Sequence, residues 1–180
     1  MKILGIVGSL RKGSFNSALL RAAVELAPSG VAVSLCELSS IPLYNGDVEA
    51  GGLPQSVVEL REQIRQADAI LIATPEYNYS IPGVLKNSVD WASRPPDQPF
   101  DGKPVAIMGA SGGLYGTVRA QNHLRQVFQC LNAFVMPKPE MMVVRAQEKF
   151  DAEGRLIDEK TREHLGRFMK AMVEWVEKFK

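Results

Sequence analysis

The sequence predicts an α/β fold: a parallel sheet with helices on both faces. Three observations carry that prediction. Short apolar runs alternate along the chain with segments whose apolar residues recur at helical spacing. One run, Ala69 to Thr74 (AILIAT), lacks polar alternation and reads as a strand buried on both sides. The loops richest in glycine, serine and tyrosine each follow a strand run, as expected where ligands bind at strand ends.

In chain order, Lys2 to Val7 is the first strand, too short an apolar run to cross a membrane. Gly8 to Ser17 forms a turn rich in donors. Leu20, Ala23, Val24 and Ala27 then mark one helix face. Val31 to Leu38 reads as the second strand, and Ser39 to Gly52 as a loop. Pro54 opens a second helix striped by Val57, Leu60, Ile64 and Ala67. Ala69 to Thr74 is the third strand. After PEYNYSIPG (75–83), Pro82 starts a helix through Leu85, Ser88, Val89 and Ala92. Arg94 to Pro104 is a proline-rich connection, Val105 to Met108 a fourth strand, and Gly109 to Thr117 a glycine-rich loop. Leu124, Val127, Phe128 and Leu131 stripe a fourth helix, and Phe134 to Met136 is a short fifth strand. Glu148 to Ile157 reads as a small hairpin or exposed loop turning at Glu153-Gly154. Leu165, Phe168, Met169, Met172, Val173 and Val176 stripe the closing helix.

With 180 residues and 46% hydrophobic content, the chain is long enough for one domain with a full core. A net charge of +1 gives no reason to expect nucleic acid as a partner. Cys36 and Cys130 lie in apolar surroundings without metal-ligand spacing. This predicts buried free thiols and a cytoplasmic setting. The first apolar run ends at Arg11 and Lys12, unlike a signal peptide.

Five strands favour the flavodoxin-like order 2-1-3-4-5, in which the ends of strands one, three and four lie side by side. Three unusual loops would then converge: Ser9–Ser17, Pro75–Ser80 and Ser111–Gly116. The first has serines, an asparagine and two cations aimed at a helix N-terminus, a setting that favours an anion. It is neither a Walker A loop nor G-x-G-x-x-G, and its hydroxyls with Arg11 suit a terminal phosphate monoester. The second is a rigid aromatic turn suited to the edge of a flat heterocycle. The glycines of the third let backbone N–H groups approach a ring. Taken singly, each loop also fits an ordinary surface turn.

GASGG (109–113) matches the G-x-S-x-G nucleophile elbow, with Ser111 as nucleophile and Asp158 and His164 as partners. Against this, His164 falls within the closing helix pattern, and a loop separates the motif from the next helix. His123 has no partner motif and reads as a half-buried helix residue.

GSLRKGSFN (8–16), TPEYNYSIPGVLKNSVDW (74–91) and the glycine loop near Ser111 together resemble the NAD(P)H-dependent FMN reductase family, which includes bacterial quinone and chromate reductases. The resemblance runs over nearly the whole chain and is least diagnostic after about Arg145. It implies FMN as cofactor and NADPH or NADH as hydride donor. Ser9, Arg11, Ser14, Asn16 and Ser17 would hold the phosphate, with Phe15 among the cofactor-binding residues. Pro75, Glu76, Tyr77 and Asn78 would line the isoalloxazine. Ser111, Gly112 and Gly113 would approach its pyrimidine edge. The implied reaction is ping-pong transfer to a small-molecule acceptor such as a quinone, a flavin or chromate, without a catalytic side chain or metal. A homodimer or homotetramer is implied as well. The rival in another class is a flavodoxin-type electron carrier. Such carriers are typically strongly acidic, whereas this chain is near neutral. Arg11 and Arg119 are cations near the loops, and neither is assigned to the nicotinamide nucleotide.

Overall fold

The computed structural model describes residues 1–180. A parallel sheet runs through the molecule in the order β2-β1-β3-β4-β5, from β1 (Lys2–Val7), β2 (Ala32–Cys36), β3 (Ala69–Ala73), β4 (Pro104–Ala110) and β5 (Phe134–Val135). This is the predicted flavodoxin-like order. A sixth strand, β6 (Met141–Val143), was not foreseen and pairs with the far half of β4. β5 pairs with the near half, at Pro104 and Val105. The edge position is thus shared by two short strands. Pro137 and Pro139 lie between them, and neither has an N–H to donate to a ladder.

Side chains of successive strand residues point to opposite faces, and each face has its own core. Ile3, Leu71, Ala73, Ala106 and Met108 face α1 (Phe15–Glu25) and α6 (Glu159–Glu177). Leu4, Ile6, Ile70, Ile72 and Ile107 face α3 (Gln55–Gln66), α4 (Gly83–Ala92) and α5 (Val118–Cys130). β3 is buried at every residue, as its unbroken apolar run predicts. β2 is an edge strand with only Cys36 fully buried.

Several boundaries move. α1 begins at Phe15 because Ser14 caps it, and its buried face is Ala18, Leu19, Ala22 and Ala23, with Val24 exposed. The loop after β2 contains a short helix, α2 (Gly46–Ala50), capped by Asn45. Cys130 is exposed, as is His123; only Cys36 is a buried thiol. The hairpin reading of residues 148–157 finds its counterpart in a bridge between Phe150 and Leu156, with Gly154 at φ +78° in the turn.

Candidate functional site

The carboxyl ends of β1, β3 and β4 are adjacent, so the loops that leave them meet at one rim. Backbone bonds join the exits: the Gly8 N–H donates to Ala73 O at 2.9 Å, and the Thr74 N–H to Met108 O at 3.0 Å. Gly109 lets the exits pack this closely. A Cβ there would lie 2.6 Å from Thr74 O and overlap the Thr117 hydroxyl.

In the first loop, Ser14 Oγ accepts from the amides of Asn16 and Ser17 at 3.2 and 3.3 Å, an ordinary helix cap. Its own hydroxyl hydrogen stays free to donate. Ser9 Oγ accepts from the Arg11 N–H at 3.3 Å. The amides of Ser9, Leu10, Lys12 and Gly13 have no protein acceptor, and the Arg11 and Lys12 side chains have no carboxylate partner. No acidic residue occupies the first turn of α1. A set of unmatched donors and cations at a helix N-terminus fits a phosphate dianion. Phe15 stacks on Phe150, and the Arg11 guanidinium lies 5.6 Å from the Phe15 ring centre.

A cleft of about 470 Å³ opens on the β2 side of this loop. Ser9, Arg11 and Ser17 line it together with Lys12, Arg21 and Cys36. Burial, aided by the Glu37 charge, pushes the Cys36 thiol up to about 11, so it stays protonated and inert near neutral pH. The second and third loops do not border this cleft.

In the second loop, Tyr77 and Ser80 exchange both backbone bonds, at 3.1 and 3.0 Å, around Asn78 (φ +48°) and Tyr79 (φ +66°). Positive φ at both central residues makes a type I′ turn; tyrosine rarely adopts that conformation, so the turn is strained. The Glu76, Asn78 and Tyr79 amides have no protein acceptor. The Glu76 side chain is turned inward. Its Oε2 accepts from the Arg119 and Ala120 amides at 2.9 and 3.2 Å, and Oε1 from Arg119 Nη1 at 3.2 Å. Glu76 thereby caps α5, whose own cap residue Thr117 makes no side-chain cap bond.

The third loop leaves β4 through Ser111, whose N–H donates to Val143 O. From Gly112 to Thr117 no amide has a protein acceptor. Gly116 sits at φ +53° against Met142, where a Cβ would not fit, while Gly113 borders open space. The Arg119 guanidinium carbon lies 4.0 Å from the Tyr79 ring centre and 4.1 Å from that of Tyr115, linking the second and third loops. Sequence reading missed the tyrosine partners of Arg119 and the cap made by Glu76. Their only signal was the clustering of aromatic residues in two distant loops.

Asn16 stands apart from its neighbours. Both atoms of its amide bond the backbone of Ala110, Oδ1 accepting at 2.8 Å and Nδ2 donating at 3.0 Å. The two partners proposed for Ser111 are engaged elsewhere. Asp158 caps α6 and pairs with Lys149, and His164 Nε2 contacts Glu140 O at 2.7 Å.

Known proteins match this chain along its length. The family model described as NADPH-dependent FMN reductase matches residues 1–148. An NAD(P)H-dependent FMN reductase of Pseudomonas aeruginosa is 56% identical over 180 residues, covering 100% of this chain and 97% of that protein. A quinone reductase of Escherichia coli is 47% identical over 183 residues, again covering 100% and 97%. Among solved structures, the flavoenzyme NAD(P)H:(acceptor) oxidoreductase FerB from Paracoccus denitrificans superimposes with a TM-score of 0.90. It is 38% identical and is covered over 98% of its length by 99% of this chain. The chain belongs to the NADPH-dependent FMN reductase family.

Proposed function

We propose that this chain is an FMN-dependent NAD(P)H oxidoreductase that reduces quinones, in ping-pong order. NAD(P)H would bind and leave oxidised before the acceptor enters. The observation that carries this reading is the rim itself: three laced loops, with unpaired amides on all three and unpaired cations on the first. The names of the relatives support the nucleotide and the quinone.

The residues fit FMN. Ser9, Arg11, Ser14 and Ser17, with the free amides of the first loop, would hold the phosphate. The Pro75–Asn78 backbone would line the ring, and the Ser111–Gly113 amides would face its pyrimidine edge. Bound FMN supplies the two-electron chemistry, which no side chain here could provide. Donors fixed before binding stabilise negative charge on a ring without reorganising. We also read the chain as one domain and propose that it works in the cytoplasm as a homodimer or homotetramer. No helix is long and apolar enough to cross a membrane. Tyr77, Leu114 and Tyr115 leave an exposed apolar rim that a second copy could cover. Free flavins and chromate are further proposed acceptors.

The test is the visible spectrum of the purified protein under nitrogen. Flavin absorbance should bleach with NADPH and return on adding a benzoquinone. A flavin that NADPH leaves oxidised would point to an electron carrier and overturn the proposal.

A further inference from the structure

Asn16 lies in the stretch that resembles a phosphate-binding motif, yet the residue is 3% exposed and its side-chain amide is bonded to the backbone of Ala110. Ala110 presents an N–H and a C=O to it, and only one orientation of the amide satisfies both. A side-chain amide placed this way imitates a neighbouring strand across 94 positions of sequence. Asn16 thus commits its Oδ1 and one of its two Nδ2 hydrogens to Ala110, at the root of the third loop, and the pair of bonds fixes the plane of its amide.

Resting on the FMN reading, we propose that Asn16 is a positioning residue and not a phosphate ligand. It fixes the distance between the loop that holds the phosphate and the loop that meets the ring, and so couples the two halves of one cofactor site. The far end of the third loop is held independently by Glu76 at the start of α5. The glycine loop is therefore clamped at both ends, while its free amides lie between the clamps. Length matters. Asparagine reaches Ala110 with two bonds, and removing one partner of a buried pair exposes the other to the full cost of losing its bond.

Riboflavin, which lacks the phosphate, separates positioning from contact. Apoprotein is titrated with FMN and with riboflavin, and the wild type is compared with Asn16→Ala, Asn16→Asp and Arg11→Ala. Asn16→Ala should weaken both flavins by the same factor, roughly tenfold. Asn16→Asp keeps the volume and the bond from the Ala110 N–H but sets a carboxylate against the Ala110 carbonyl. It should also weaken both flavins, and it carries the comparison if Asn16→Ala does not fold. Bound riboflavin should show a shifted absorbance maximum in both Asn16 variants and an unshifted one in Arg11→Ala, which should weaken FMN alone. Loss of FMN affinity with riboflavin unchanged in the Asn16 variants would place Asn16 on the phosphate and overturn the inference. So would unchanged affinity for both. A wild type that binds neither flavin would overturn the FMN reading itself, and this inference with it.

Discussion

Replacing Glu76 by alanine should destabilise the protein even without cofactor, because the carboxylate is the cap of α5. The side chain is 10% exposed, and its Oε2 takes two first-turn amides that have no other protein acceptor. Loss of a capping acceptor costs about 0.5–2 kcal/mol. Removing a negative charge from a helix N-terminus adds about 0.3–1 kcal/mol. The sum, about 2 kcal/mol, should lower the melting temperature by about 4–8 °C for a chain of this size. Glu76→Gln keeps an oxygen acceptor and loses only the charge, so it should fall less than half as far. The ion pair with Arg119 is a smaller matter, since that side chain is still 31% exposed to screening water and is also held by two rings. Glu76→Ala should therefore cost nearly as much in an Arg119→Ala background as in the wild type. Circular dichroism melts of the apoproteins decide this. A Glu76→Ala melt within about 1 °C of wild type would refute the capping argument. Equal losses for alanine and glutamine would move the effect from the hydrogen bonds to the charge.

Gly109→Ala should prevent the Thr74 backbone and the Thr117 side chain from closing on β4 and lower stability by about 3 kcal/mol or more, read by urea unfolding. Gly113→Ala, with open space around it, should melt like wild type yet bind FMN more weakly, read by flavin titration. The Lys149 ammonium, together with the Thr161 hydroxyl and amide, holds the Asp158 carboxyl down to about 2. An unfolded aspartate titrates near about 3.9, so this stabilisation is whole above about pH 4 and fades as pH falls through about 2. The melting gap between wild type and Asp158→Asn should close over that range; a gap independent of pH would count against the pairing. Native protein should offer one thiol, Cys130, to a disulfide reagent at pH 8, and Cys36 should react only after unfolding. Two fast thiols in the folded state would contradict the burial of Cys36.

The main strands and helices were legible because their signals are local, and five strands alternating with helices then favoured the observed sheet order. An unbroken run such as Ala69–Ala73 and a stripe such as Leu165, Phe168, Met169 and Met172 declare themselves within a few turns of chain. β6 was not legible: its three residues follow two prolines, and their partner is the end of a strand whose length the sequence understated. α2 is likewise too short for periodicity to reveal, although its Asn45 cap was there to be read.

The site shows the same division more sharply. Sequence composition located the loops, because glycines, hydroxyls and cations gather where a backbone must turn and donate. The family resemblance placed Asn16 among the phosphate residues and Glu76 in the turn that lines the ring. The structure gives both side chains partners in the protein, 94 and 43 positions away, which no reading of neighbours can supply. This division has a physical basis. Where a loop offers mainly backbone donors, as Gly112 to Gly116 does, it has few side chains of its own to fix its shape. Other side chains must hold those loops, and the shortest polar groups next to the turns are in reach to do so. In this family of motifs a polar residue beside a glycine loop is therefore as apt to brace the site as to touch what binds there. The discriminating observation is whether its amide or carboxylate already has buried backbone partners.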